Sequence, residues 1–410
     1  MRVSSIARAA APPVPGISTY TTTRMRFAAT PPTDEVVRPR LQAVVDQLVK
    51  KYGYPGAYIY LDGPPQAGYD GTPLVVKAGC DTVGTATPIA DDPLILSASI
   101  TKSLVAGVAL QLAEEGKLNL WDTLEQRLPA KDMGRFEAQR AEPLISLLRH
   151  ASGLPDWLNT AFLTHATQLG WTDEAARQLT KPLDHDAILD FTRQADHGPR
   201  TRGSFNYCNT NYELLARVIE EVEGQPLGQV LQKRLFTPLG LTHTHFETWP
   251  DTTTWANGYS TYFSSTLPQH PNMHWNIPVL WGRASGGVVS TPQEIAALYR
   301  GLYGQAKASK ASKTGRRSLL LRTPESHERL INSVIPTESN NGTQSSLGVF
   351  RRKGKPGFFH NGSPMGYKTL AYYNEETDMA VVAFVNSDQN RHDLLGSQLA
   401  GLFREVGFSV

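Results

Sequence analysis

Ser99, Ile100, Thr101 and Lys102 put a hydroxyl and an amine three residues apart where a helical pattern begins. Residues three apart share one face of a helix, so both groups reach one point in a pocket. A serine hydroxyl is a weak nucleophile until a neighbouring base takes its proton. A lysine in a tight, partly desolvated pocket has its pKa lowered toward that task. The chemistry on offer is acyl transfer through a covalent serine ester. Ser-x-x-Lys is a loose pattern, with about one chance match expected in a chain of this length, and the sequence holds one match. Ser103 to Leu112 is almost wholly apolar, the pattern of a buried helix. A lysine facing a core must be paired or employed.

A second constellation runs from Phe205 to Tyr212, ahead of an apolar helix expected over 214–222. Its Tyr207 and Asn209 offer a phenol and an amide on one short loop. A phenolate beside a lysine ammonium is a candidate general base, and the amide can orient the lysine or a substrate carbonyl. Tyr372 and Asn374 repeat the pattern, but at a strand end running into an acidic turn. The third is Phe358-Phe359-His360-Asn361-Gly362-Ser363. A glycine at a strand edge lets a substrate backbone approach closely, and the N–H groups of Ser99 and Ser363 are candidates for an oxyanion hole.

Together these segments resemble the serine β-lactamase and penicillin-recognising superfamily in its class C-like branch, which includes D-alanyl-D-alanine carboxypeptidases, D-aminopeptidases, family VIII carboxylesterases and some acyltransferases. The resemblance covers roughly residues 40 to 408. It also rests on Leu147 to Pro155, similar to the branch's LLTHTSGLP; on Glu115 to Asp122, similar to EGKLSLDD; on Pro238 to Leu241, similar to PLGM; and on Ala284 to Thr291, similar to AGGLVST. It implies Ser99 as the acylated nucleophile, Lys102 as acceptor or relay of its proton, and Tyr207 as general base. Asn209 would position Lys102 and substrate. His360, Asn361 and Gly362 would stand where class C β-lactamases have KTG, with Ser363 completing the substrate-binding edge. His360 removes a permanent cation, which points away from efficient β-lactam hydrolysis. The implied fold is α+β and β-lactamase/transpeptidase-like: an antiparallel sheet flanked by terminal helices, plus a mostly helical inserted region. The implied function is a serine hydrolase of small esters or amides, of carboxylesterase or D-amino-acid peptidase type. An acyltransferase using the same acyl-enzyme and a catalytically silent binding protein are the alternatives. No cofactor is implied.

Lys313-Thr314-Gly315 matches KTG literally. It lies in the Lys/Ser-rich run 306–317, which reads as a solvated loop, and too much chain follows it for the two strands and one helix expected after the triad. His243, His245 and Glu247 share one face of an extended segment that could bind zinc, yet they directly follow the Pro238–Leu241 segment, so no metal is expected. There is no Gly-x-Ser-x-Gly elbow, Walker A or dinucleotide fingerprint.

The elements that must position these groups can be read in outline. Residues 35–52 carry apolar residues at helical spacing. Residues 57–61 and 74–78 read as strands around a Gly/Pro-rich segment. Residues 368–373 and 380–385 read as strands joined by the turn 374–378, followed by a helix near 393–406. Strands at both ends with helices between predict a sheet built from both terminal parts, about 34–96 and 340–410, with a helical part at 97–339. Residues 1–33 carry four arginines and no acid, the composition of a flexible leader or targeting segment. The formal net charge of the 410 residues is +2, which offers nothing for nucleic acid. No apolar run is long enough to span a membrane, so a soluble protein with a small-molecule substrate is expected. Oligomeric state and compartment stay open. Cys80 and Cys208 match no metal-site spacing and are expected as free thiols.

Overall fold

The structure is a computed structural model that describes residues 34–65, 69–133, 136–162, 164, 185–194, 201–248, 254–260, 282–304, 320–339, 342–364 and 366–389. All belong to one contact unit, 32–410. The leader 1–33, the basic run with Lys313-Thr314-Gly315 and the C-terminal helix lie outside the described residues.

Helix α1 (Asp34–Lys50) precedes β1 (Gly56–Asp62) and β2 (Leu74–Gly79). The short β3 (Ile95–Leu96) leads into a 3-10 turn, Ala98–Ile100, and then α2 (Thr101–Glu114). After a stretch of short helices come the helix Thr210–Glu223, β4 (His245–Phe246), β5 (Val288–Ser290) and the helix Pro292–Tyr303. The last part supplies β6 (Ile335–Pro336), β7 (Thr343–Ser345), β8 (Phe350–Arg352), β9 (Phe358–Gly362), β10 (Lys368–Asn374) and β11 (Met379–Val385). Among the described residues the main sheet has eight strands in the order β2-β1-β11-β10-β9-β8-β7-β6, and β3-β5-β4 form a small second sheet. Every pairing is antiparallel.

β1, from early in the chain, lies against β11, from late in it, with Ala57 opposite Val385 and Asp62 opposite Ala380. Side chains alternate across a strand, and here both faces are apolar. Ala57, Ile59, Leu61, Val381, Ala383 and Val385 pack under Val37, Leu41, Val45 and Leu48 of α1. Tyr58, Tyr60, Val382 and Phe384 join the opposite core, with Tyr299, Tyr303 and α2. Strands covered on both faces read as unbroken apolar runs, which explains Met379 to Val385.

The segment Phe358–Gly362 is itself a strand, β9. The helix expected at 214–222 begins earlier, at Thr210. Among the described residues, no helix is long and apolar enough to cross a membrane.

Candidate active site

Ser99 occupies the 3-10 turn just before α2, and Lys102 lies in the first turn of that helix. The turn is fastened to β5: the Ser97 hydroxyl donates to the Val288 carbonyl at 2.6 Å, and Val288 N–H donates to the Thr101 hydroxyl at 3.1 Å. Ala98, directly before the nucleophile candidate, has φ +44°, a left-handed conformation that side chains resist. Ser99 is half-buried, whereas Lys102 is 0% exposed.

Lys102 Nζ lies 3.0 Å from Ser99 Oγ and donates to the Ser285 carbonyl at 2.7 Å. Burial drives its pKa down to about 7, with the carboxylates of Asp156 and Glu213 opposing that fall. The ammonium form would sit 5.0 Å from the Tyr207 ring centre and 5.7 Å from that of Tyr212, both favourable cation–π separations. Burial pushes the Tyr207 phenol well above its ordinary value, against a hydrogen bond with Ser99 that lowers it. At neutral pH the phenol therefore keeps its proton, and the amine is the group poised to accept one.

Asn209 is held by Asp156, whose carboxylate accepts its backbone N–H at 3.1 Å and its side-chain amide at 3.0 Å. Asp156 in turn acts on Lys102 through its charge. Tyr207 is stacked by His150, whose Nδ1 accepts the Cys208 N–H at 3.1 Å. That bond places the proton of neutral His150 on Nε2, and burial holds this imidazole far below its usual pKa. Cys208 and Cys80 are free thiols.

The strand β9 delivers the third group. His360 Nδ1 lies 2.7 Å from the Asn361 carbonyl. A carbonyl only accepts, so Nδ1 carries the proton and Nε2 holds the lone pair. Nε2 is buried and finds no hydrogen-bond partner among the described residues. Burial, then the nearby Lys102 charge, bring the His360 pKa down to about 3, so the ring is neutral wherever the protein is folded at ordinary pH. Strand alternation separates the four residues expected on this edge. His360 opposes Ala371 and faces the helical side with Tyr207. Asn361 opposes Leu370 and points with Phe359 toward the α1 side, away from Ser99. Gly362 packs its α-carbon against the nucleophile turn: a Cβ there would lie 2.3 Å from the Ser97 carbonyl oxygen. Glycine is required by the chain's own backbone rather than by a substrate. Ser363 is exposed beyond the strand end. The half-buried Phe205, Tyr207 and Phe350 cluster with the buried His360, Phe350 lying 5.1 Å from His360 and 6.1 Å from Phe205.

Asp156 and Glu213 were not anticipated. Asp156 lies one residue beyond the Leu147–Pro155 segment. Glu213 stands directly before the apolar Leu214, Leu215 and Ala216 and is buried with them in the first half of its helix, where a carboxylate is rarely left without a partner. Among the described residues, no group of three or more His, Cys, Asp or Glu is arranged to hold a metal. Glu247 pairs with Arg283 at 2.8 Å and His243 faces Glu294 at 3.3 Å.

A family described as Beta-lactamase matches residues 41–402. Penicillin-binding protein 4 of Amycolatopsis lactamdurans is 30% identical over 158 residues, 38% of this chain and 37% of that protein. The D-aminopeptidase of Gluconobacter oxydans (strain 621H) is 28% identical over 204 residues, 49% of this chain and 34% of that protein. The chain thus spans well under two thirds of the length of these relatives. The D-amino acid amidase of Ochrobactrum anthropi SV3, in its structure with L-phenylalanine, superposes with a TM-score of 0.72 at 20% identity, over 90% of this chain and 99% of that one. This likeness establishes the β-lactamase/transpeptidase-like α+β fold.

Proposed function

The chain belongs to the Beta-lactamase family, and on that premise we propose that it is a serine hydrolase forming an acyl-enzyme at Ser99, with small amides, those of D-amino acids first, as substrates. The observation that carries the reading is the 3.0 Å contact between Lys102 Nζ and Ser99 Oγ, made by an amine whose pKa is near 7. Neutral Lys102 takes the Ser99 proton as Oγ bonds to the substrate carbonyl carbon. The oxyanion is received by the N–H groups of Ser99 and Ser363. The C–N bond then breaks, and the departing amine takes a proton from the Tyr207 phenol, which Lys102 ammonium replaces. Water attacks the ester by the reverse relay, releasing the acid and restoring Ser99.

Two features favour neutral amides. His360 carries no charge to bind a carboxylate, and its Nε2 lone pair suits a substrate N–H. The Phe205, Tyr207 and Phe350 cluster suits an apolar side chain. The D-configured preference is supported by the D-aminopeptidase and D-amino acid amidase among the relatives. The test is intact-mass analysis after a fluorophosphonate probe, on wild type and Ser99→Ala, beside turnover of D- and L-phenylalanine p-nitroanilide and p-nitrophenyl butyrate. One adduct lost in Ser99→Ala and faster D-anilide turnover are expected. An adduct surviving in Ser99→Ala ends the nucleophile assignment. Ester turnover without any anilide turnover makes the protein a carboxylesterase instead.

A further inference from the structure

We propose that Glu213 is a positioning residue for Lys102: it fixes Ser285, the residue whose carbonyl receives the lysine, and its carboxylate acts on the amine. The inference rests on the reading of Ser99 and Lys102 as nucleophile and base.

Glu213 is 0% exposed in the helix Thr210–Glu223. A carboxylate in such a place is costly unless a partner or a task holds it there. Its Oε1 accepts the Ser285 N–H at 3.1 Å, while the Ser285 carbonyl accepts Lys102 Nζ at 2.7 Å. The Ser285 hydroxyl is tied back to the Gly282 carbonyl at 3.1 Å. One residue is thereby held on its N–H, its hydroxyl and its carbonyl. With one Lys102 hydrogen committed to Ser285, the neutral amine turns its lone pair toward Ser99.

Asp156, Glu213 and the Cys208 thiol act on Lys102, as do the imidazoles of His150 and His360 across the site and the phenols of Tyr207 and Tyr212 over it. Among the described residues Glu213 Oε2 finds no hydrogen-bond partner. It faces His185 Nδ1 at 3.7 Å, with His185 Nε2 3.3 Å from Glu220. Glu247, in the field of both Glu213 and His185, is paired with Arg283. Among the described residues no arginine or lysine is paired with Glu213, and its carboxylate acts on Lys102.

Glu213→Gln keeps an oxygen for the Ser285 N–H and removes the charge. The expected result is a Lys102 midpoint lower by about one pH unit, read from the 13Cε resonance of lysine-labelled protein and assigned by its loss in Lys102→Met. The acid limb of the fluorophosphonate labelling rate should move down with it. An unchanged midpoint in folded Glu213→Gln overturns the proposal, and a uniform fall in rate with no shift leaves Glu213 merely structural. Glu213→Asp provides the second arm: it keeps the charge and shortens the reach, so the midpoint should stay within about 0.3 units while the plateau labelling rate falls about tenfold. A plateau equal to wild type overturns the positioning claim. Wild-type protein that titrates as expected but never labels at Ser99 would sink the hydrolase reading while leaving the Glu213–Lys102 coupling in place.

Discussion

His150 lies stacked on Tyr207, ring centroids 4.3 Å apart and planes 26° from parallel. The imidazole is fixed through the N–H of Cys208, the residue after the tyrosine it supports, and its backbone adopts a left-handed φ of +58° to do so. The phenol thus has a neutral aromatic ring on one side and the Lys102 amine on another. Both its plane and its proton are settled before substrate arrives.

The pH dependence of acylation follows. Labelling of Ser99 by a neutral fluorophosphonate should rise through a midpoint near 7 as Lys102 loses its proton. His150 and His360 are held below their usual values, so neither adds a limb near 6.5. Rates between pH 4 and 9 for wild type and His360→Gln check this. A wild-type limb that disappears in His360→Gln would transfer the proton-accepting role to His360.

Lys102 also shapes stability. Its folded pKa lies below the unfolded value, so the folded state sheds a proton that the unfolded state keeps between about pH 7 and 10.5. Stability contributed at this site is fully present above that window and is lost as pH falls through it. Lys102→Met should therefore be inactive yet more stable than wild type at pH 6, by on the order of 2–4 kcal/mol, with the gain shrinking toward pH 10. Thermal melts at pH 6, 8 and 10 decide it; a gain that grows with pH contradicts the assignment.

Gly362→Ala should damage the nucleophile turn from a neighbouring strand. The added methyl meets both the Ser97 carbonyl and the Thr369 hydroxyl well inside contact distance. Overpacking of this kind costs about 1–3 kcal/mol, and β9 should shift away from Ser97. Urea unfolding gives the cost, and a labelling rate unaffected by the substitution would show that the turn does not depend on β9.

Ala98 gives a paired prediction. Its φ of +44° suits glycine and penalises branched side chains. Ala98→Gly should melt within about 0.5 kcal/mol of wild type, the relief of strain offsetting added chain entropy. Ala98→Val should lose about 2 kcal/mol and slow labelling. Equal losses in both would place the strain elsewhere.

The sheet was legible because its strands are long and apolar: residues 57–61, 368–373 and 380–385 lie where their β-branched and aromatic content says. Ser99, Lys102 and Tyr207 were legible because their types and spacing name a chemistry. The role of Asn361 was not, since its orientation depends on which face of β9 His360 takes, and only pairing with β10 fixes that. Asp156 and Glu213 escaped for a similar reason. A carboxylate carries no sign in sequence of the amine it will face, and Ser285 joins Lys102 from more than 180 residues away.

The pairing of Ala57 with Val385 has a consequence for biosynthesis. The centre of the main sheet cannot close until β10 and β11 have left the ribosome, although β1 emerges more than 300 residues earlier. Until then the edge of β1 that β11 will pair stays open, and so does its face toward Tyr299 and Tyr303, the kind of exposed strand that invites aggregation. Truncation within the last strand should yield insoluble chains rather than a shortened enzyme, whatever the condition of the Ser99 site.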